Sequence, residues 1–186
     1  GPILRLALAE AVCDTLIGHG YGRIGIDHYA LPDDPLAQAT RAGRLHRNFQ
    51  GYTDDERRSL IGFGASAISQ LPGGFVQNEP GVGAYSRMVT EGRLATRRGH
   101  ALSEDDRCRA AIIEALMCNL RIDLGSDGSR FADEIALLRP YVADGLVRVA
   151  GTRIEMTEAG RPFVRLAAAV FDRYRTEGGM RFSGAV

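Results

Sequence analysis

Two kinds of chain meet near Gly99, and the change between them limits what this sequence can fold into. Before Gly99 the apolar residues come in short stretches cut by glycine and proline. After it they recur at helical spacing, with a hairpin-like pair near the end. Residues 3–17 are dense in Leu, Ala and Val, contain no breaker and run into Gly18 and Gly20, the pattern of a helix closed by glycine. Residues 21–29 then alternate, with Ile24, Ile26 and His28 on one face and Arg23, Gly25 and Asp27 on the other. A helix leading into a short strand whose end carries Asp27 and His28 suits an α/β layer or barrel, where functional groups collect at the C-terminal ends of strands.

Pro35 suits the first turn of a helix over 36–43. Residues 45–53 read as a polar and aromatic loop. Residues 60–71 alternate again and contain Gly62, Gly64 and the small run Ala65-Ser66-Ala67. Pro72-Gly73-Gly74 is a turn from which 75–77 returns as an antiparallel strand, and 82–91 form a short helix closed by Gly92. In the second half, Ser103 caps a helix whose first residues, Glu104, Asp105 and Asp106, sit on the positive end of its dipole. That helix runs to about Leu120. A second covers 131–142, a hairpin joins 146–149 to 153–156, and a last helix covers 161–175. Helix, helix, hairpin, helix is the outline of a winged-helix-like module.

Charge narrows the functional classes. The 23 basic residues balance 23 acidic ones, which removes the electrostatic argument for a dedicated binder of nucleic acid or anionic membrane. Between Ser103 and Gly145 nine acids face five arginines, and the helix that would read DNA opens with Asp133 and Glu134, the wrong sign for phosphate. Every basic residue is Arg, so an anionic ligand must be held by Arg, and a lysine Schiff base is excluded. No apolar run reaches the roughly 18 to 20 residues that span a bilayer, and the first residues do not form a secretory signal. Cys13, Cys108 and Cys118 match no disulfide or zinc spacing, so free thiols in a reducing cytoplasm are expected, with no metal site.

Three stretches carry a resemblance. Gly20-Tyr21-Gly22-Arg23-Ile24-Gly25-Ile26-Asp27-His28-Tyr29-Ala30 is followed by Pro32-Asp33-Asp34. Leu45-His46-Arg47-Asn48-Phe49-Gln50-Gly51-Tyr52-Thr53 and Gly62-Phe63-Gly64-Ala65-Ser66-Ala67-Ile68-Ser69 come next, with Gln77-Asn78, Arg98-Gly99, Leu102-Ser103, Asp105-Asp106 and Phe182-Ser183 beyond. Together they resemble the C-terminal part of the oxygen-independent coproporphyrinogen III oxidases, radical S-adenosylmethionine enzymes of haem biosynthesis. The nine residues from Leu45 to Thr53 are far more specific than an isolated glycine motif. The family's CxxxCxxC motif, which holds a [4Fe-4S] cluster, has no counterpart in this sequence.

The resemblance implies an α+β chain. Residues 1–98 would supply the last helix and strand of a partial (β/α) barrel with an antiparallel extension, and 99–186 a mostly helical, winged-helix-like domain. It implies that the parent enzyme converts two propionates of coproporphyrinogen III to vinyl groups, giving protoporphyrinogen IX. The parent would use S-adenosylmethionine and a [4Fe-4S] cluster, with neither expected on this piece alone, which should be inactive. The parent is expected to be a cytoplasmic monomer. The piece, with the strand edge at 21–29 and the apolar side of its first helix uncovered, is expected to self-associate.

Within this frame Gln50 is the first catalytic and cofactor-contacting candidate, because an amide both donates and accepts and so suits a zwitterionic cofactor. Arg47 is the second, because a guanidinium grips a carboxylate at two points and the substrate carries four propionates. Ile68 matches a residue that contacts S-adenosylmethionine, and Gly62, Gly64, Ala65 and Ala67 allow a ligand close to the backbone. Arg97 and Arg98 are weaker anion candidates, the Asp27–His28 pair reads as structural or as lining a barrel mouth, and His19, His46 and His100 give no metal signal. Two other readings stand beside the oxidase: a related haem chaperone, and a stand-alone winged-helix module that binds DNA or a protein.

Overall fold

The computed structural model, which describes residues 1–175, opens with helix α1 at Pro2–Gly18, as the breaker-free run dictates. The N–H groups of Gly20 and Tyr21 turn back onto Ile17 O and Leu16 O and close it. Residues 21–29 do not form one strand. β1 (Gly22–Ile24) and β2 (His28–Ala30) pair antiparallel as a hairpin, with Arg23 opposite Tyr29. Gly25 makes the turn: its φ of +55° is in the left-handed region, and a Cβ there would run into the ring of Tyr52. Asp27 therefore lies in the turn and His28 opens β2, which corrects the expectation of a single strand ending at these two residues.

Helix α2 (Pro35–Arg41) starts where Asp34 accepts the Leu36 N–H at 2.8 Å, with Pro35 in the first turn. Residues 45–53, expected as a loop, form a second hairpin of β3 (His46–Asn48) and β4 (Gly51–Thr53). The chain divides into two compact units, Gly1–Asp54 with Arg109 onward, and Asp55–Cys108. The boundary expected near Gly99 falls inside a strand of the second unit.

In the second unit, β5 (Ile68–Leu71), β6 (Gly74–Asn78) and β7 (Thr96–Ala101) form an antiparallel sheet in that order, with the turn at Pro72-Gly73 where the sequence marks it. Only the end of 60–71 is a strand. Leu60 makes a single bridge to Gln70, and 62–67 loops out through Gly64 at φ +110° and Ser66 at φ +61°. Helix α3 (Val82–Thr90) matches its expected span within a residue. Strand β7 has no apolar alternation, lies exposed along its whole length, and is recognisable only by its pairing with β6.

Helix α4 (Glu104–Asn119) begins at a reciprocal cap. Ser103 Oγ accepts the Asp106 N–H at 3.2 Å, while the Asp106 carboxylate accepts the Ser103 N–H at 2.9 Å and the hydroxyl at 2.7 Å. In the first unit, β8 (Arg121–Asp123), β9 (Val147–Ala150) and β10 (Arg153–Met156) make a sheet in the order β8-β10-β9, adding a strand to the expected hairpin. The helix expected over 131–142 is two pieces, α5 (Ala132–Leu137) and α6 (Arg139–Ala143), because Pro140 has no N–H to continue the ladder. The last helix is also broken, with α-geometry only at α7 (Val164–Ala168) between two 3₁₀ turns.

Two apolar clusters hold this unit. Ile24, Ala30, Ala37, Leu45, Tyr52 and Cys118 bring both N-terminal hairpins and α2 onto α4. Phe131, Leu138, Val147, Ile154, Val164 and Phe171, all almost fully buried, form the core around the three-stranded sheet, with the rings of Phe131 and Phe171 edge to face at 6.0 Å. Among the described residues no helix is long and apolar enough to cross a membrane.

Candidate functional site

The β3–β4 hairpin is built around one inward residue. Pairing sets Arg47 opposite Tyr52 and Asn48 opposite Gly51, leaving Phe49 and Gln50 at the tip. Asn48 Oδ1 accepts the Gln50 N–H at 2.8 Å and fixes that tip. Tyr52 is 9% exposed; its hydroxyl donates to Met117 O at 3.0 Å and accepts the Ile26 N–H at 3.1 Å. It thus ties the second hairpin to both the first and α4. Burial pushes the phenol above its ordinary pKa, and the Ile26 N–H works against that by favouring the phenolate.

Two polar side chains stand on the Tyr52 ring. The Arg47 guanidinium carbon lies 5.6 Å from the ring centroid, and the His28 ring meets it edge-on at 5.1 Å and 82°. His28 Nδ1 is 2.9 Å from Asp27 Oδ1. Among the described residues the Arg47 guanidinium has no carboxylate partner. The nearby acid, Glu114, is taken by His46 Nδ1 at 3.0 Å, and only the Arg47 backbone N–H reaches it, at 3.4 Å. The Gln50 side chain is exposed, and its amide has no hydrogen-bond partner among the described residues. The structure therefore brings Arg47 and Gln50 together on one hairpin, with an unpaired cation and a free amide facing solvent.

Ile68 lies in the other unit, half-buried at the start of β5 and opposite Gln77. The loop before it is fixed by side chains. Asn78 Nδ2 donates to Gly62 O at 3.2 Å and Gly64 O at 3.0 Å, and the Gly64 N–H donates to the Tyr85 hydroxyl at 3.1 Å. Gln77 Nε2 donates to Ser66 O at 3.0 Å. Gly62 is demanded by close approach, since a Cβ there would stand 2.6 Å from Ile68 O. This rigid loop leaves Phe63 88% exposed. Arg98 is used internally, donating from Nε to Gln77 Oε1 at 2.8 Å, and Arg97 lies 3.7 Å from Glu79. His19 Nδ1 pairs with Thr15 O within its own helix.

A cavity of about 820 Å³ lies elsewhere in the first unit, between α1, the first hairpin and residues 158–165, and neither Arg47 nor Gln50 lines it. Arg161, mostly buried beside it, donates to Gly25 O at 2.8 Å. Burial, followed by the Arg23 charge, pulls the pKa of Arg161 down. Cys13 and Cys118 are buried, and burial and the Glu114 charge push the Cys118 thiol up to about 12, so it keeps its proton.

The sequence comparisons bear on this geometry. Residues 102–163, from the α4 cap to the turn before α7, match the family model of the HemN C-terminal domain. Over that stretch the chain is similar to the HemN C-terminal domain. It is 44% identical over 185 residues, 96% of its length, to the oxygen-independent coproporphyrinogen III oxidase of Bradyrhizobium diazoefficiens. It is 45% identical over 184 residues to that of Cereibacter sphaeroides. The solved structure of coproporphyrinogen III oxidase (HemN) from Escherichia coli, described as a radical SAM enzyme, superposes with a TM-score of 0.87 at 39% identity, covering 94% of this chain. The chain spans about 41% of the two relatives and 42% of the solved chain. Arg47, Gln50 and Ile68 all lie outside the HemN C-terminal domain match.

Sequence reading missed Tyr52 as the organising residue, although it stands in the Leu45–Thr53 stretch. The usable signal is Asn48 followed three residues later by Gly51, the preferred ends of a tight turn, which makes 45–53 a hairpin and sets Tyr52 opposite Arg47. Asn78 and Tyr85 were also missed, because their partners are backbone groups that a sequence does not display.

Proposed function

We propose that this chain is the C-terminal part of an oxygen-independent coproporphyrinogen III oxidase. In this reading the β3–β4 hairpin tip faces the substrate and cofactor. Likeness over 96% of the chain supports the family, and the unpaired Arg47 guanidinium on Tyr52, beside the free Gln50 amide, carries the assignment of the site. The parent reaction removes a hydrogen atom from a propionate side chain, then releases CO2 and an electron to leave a vinyl group, at two of the four propionates. In the proposed fold class, α1 and the first hairpin close a partial (β/α) barrel, and the HemN C-terminal domain is winged-helix-like.

The residues present do not fit a [4Fe-4S] cluster. Cys118 keeps its proton, and among the described residues no three His, Cys, Asp or Glu side chains gather at metal-binding distance. The cluster is assigned to the part of the relatives' length that this chain does not cover, and this chain alone is inactive. Ile68, half-buried at the start of β5, offers apolar surface for S-adenosylmethionine. When bound, it supplies the hydrogen-abstracting radical. Arg47 holds a propionate by two-point contact. Gln50 donates and accepts hydrogen bonds at the hairpin tip, beside the propionate that Arg47 holds. Ile68 excludes water from the cofactor's apolar surface.

The test is anaerobic turnover by the full-length polypeptide, following loss of two CO2 by mass and 5'-deoxyadenosine separately. Both products are expected. Haem binding with neither product would instead identify a chaperone.

A further inference from the structure

We propose that His28, oriented by Asp27, is a second carboxylate-binding group that works with Arg47 across the Tyr52 ring. The inference rests on the substrate reading above and adds a residue to it. An ionised carboxylate only accepts hydrogen bonds, so the 2.9 Å contact with Asp27 Oδ1 puts a proton on His28 Nδ1 and leaves Nε2 as the outward nitrogen. The ring is fixed from two sides, by Asp27 and by its edge contact with Tyr52, which itself cannot turn because its hydroxyl is tied to Met117 O and the Ile26 N–H. Nε2 lies beside Gly51, 3.6 Å from where a Cβ would stand.

The imidazole is 45% exposed, so the Asp27–His28 pair is not a buried structural link that the core requires. Among the described residues, Asp27 meets it from its own hairpin and Tyr52 from the other, with Arg47 on the same Tyr52 ring. In the imidazolium form both ring nitrogens donate, so Nε2 can donate to a carboxylate while Nδ1 stays on Asp27. Arg47 and His28 each lie within 6 Å of one ring centroid, so a ligand reaching one guanidinium meets a second donor on the same support. A tetracarboxylate can engage both, whereas a monocarboxylate engages one.

The experiment is fluorescence titration of the full-length polypeptide with coproporphyrin III, a stable tetracarboxylate, and with its tetramethyl ester. His28→Gln should weaken binding of the acid about tenfold or more, as expected for loss of a charge-assisted hydrogen bond, and leave ester binding within twofold. His28→Arg should restore acid binding. Equal losses for acid and ester in His28→Gln, or no loss for either, would overturn the His28 assignment while Arg47→Gln still tests the substrate reading. If the unaltered protein does not prefer acid to ester, the substrate reading itself fails, and the inference with it.

Discussion

Tyr52→Phe isolates the hydroxyl that ties two hairpins to α4. The ring stays, so the contacts of Arg47 at 5.6 Å and His28 at 5.1 Å are retained. What is lost is the bond to Met117 O and the acceptor for the Ile26 N–H, at 3.0 and 3.1 Å. Leaving buried partners unmade costs about 1–3 kcal/mol each, and the Ile26 N–H in its tight turn is the harder of the two to satisfy otherwise. A loss of about 2 kcal/mol is therefore expected, which lowers the thermal midpoint by roughly 4–8 °C for a chain of this size. Differential scanning calorimetry of the 186-residue chain reads this directly. Tyr52→Leu, which also removes the ring, should fall further. A midpoint for Tyr52→Phe within 1 °C of the unaltered chain would refute the idea that this hydroxyl organises the site.

Other outcomes follow from the same contacts. Gly25→Ala should destabilise more than Tyr52→Phe, because it forces a side chain into the left-handed region and against the Tyr52 ring; urea unfolding reads the difference. Cys118 has a folded pKa of about 12 against an ordinary 9.0, so the unfolded thiol loses its proton first as pH rises. Stability should then fall by about 1.4 kcal/mol per pH unit from pH 9 upward, and Cys118→Ala should flatten that slope in pH-dependent melts. Asn78→Ala should leave the Gly62 and Gly64 carbonyls without their donor and loosen the loop, seen as faster amide exchange over 62–67 with α3 unchanged. Leu4, Leu8 and Val12 expose an apolar stripe on α1, so sedimentation of the chain should show concentration-dependent association.

What the sequence displayed depended on how local the determining contacts were. α1, α2, α3 and α4 follow from breaker-free runs, Pro35 in a first turn, and the Ser103–Asp106 cap, all interactions within a few residues. The hairpin at 22–30 was obscured because alternation looks alike in one strand and in two strands joined by a short turn, and the one at 46–53 because its polar residues read as a loop. Gly25 decides the first only through Tyr52, which is 27 residues away. β7 is exposed throughout and β8 is three residues long, so neither has a pattern to find. Arg47 and Gln50 were legible as candidates through resemblance, but that His46 holds Glu114, leaving Arg47 no carboxylate among the described residues, is visible only in the structure. Asp27 and His28 read as the end of one strand, whereas Asp27 lies in the turn of the first hairpin and His28 opens its second strand. Phe182 and Ser183, part of the resemblance, lie outside the described residues.

The most direct test of the central claim, that the β3–β4 tip faces the reacting groups, is anaerobic turnover of Gln50→Ala in the full-length polypeptide at verified cluster content. Among the described residues the Gln50 amide makes no hydrogen bond, and its backbone N–H bond to Asn48 Oδ1 survives the change, so fold and hairpin should be intact. The account predicts that vinyl product is nearly abolished, because small misplacements of the abstracting carbon are costly. Arg47→Ala should instead weaken porphyrinogen binding more than it slows 5'-deoxyadenosine formation. Product formation by Gln50→Ala at the unaltered rate would contradict the account and move the site to another part of the chain.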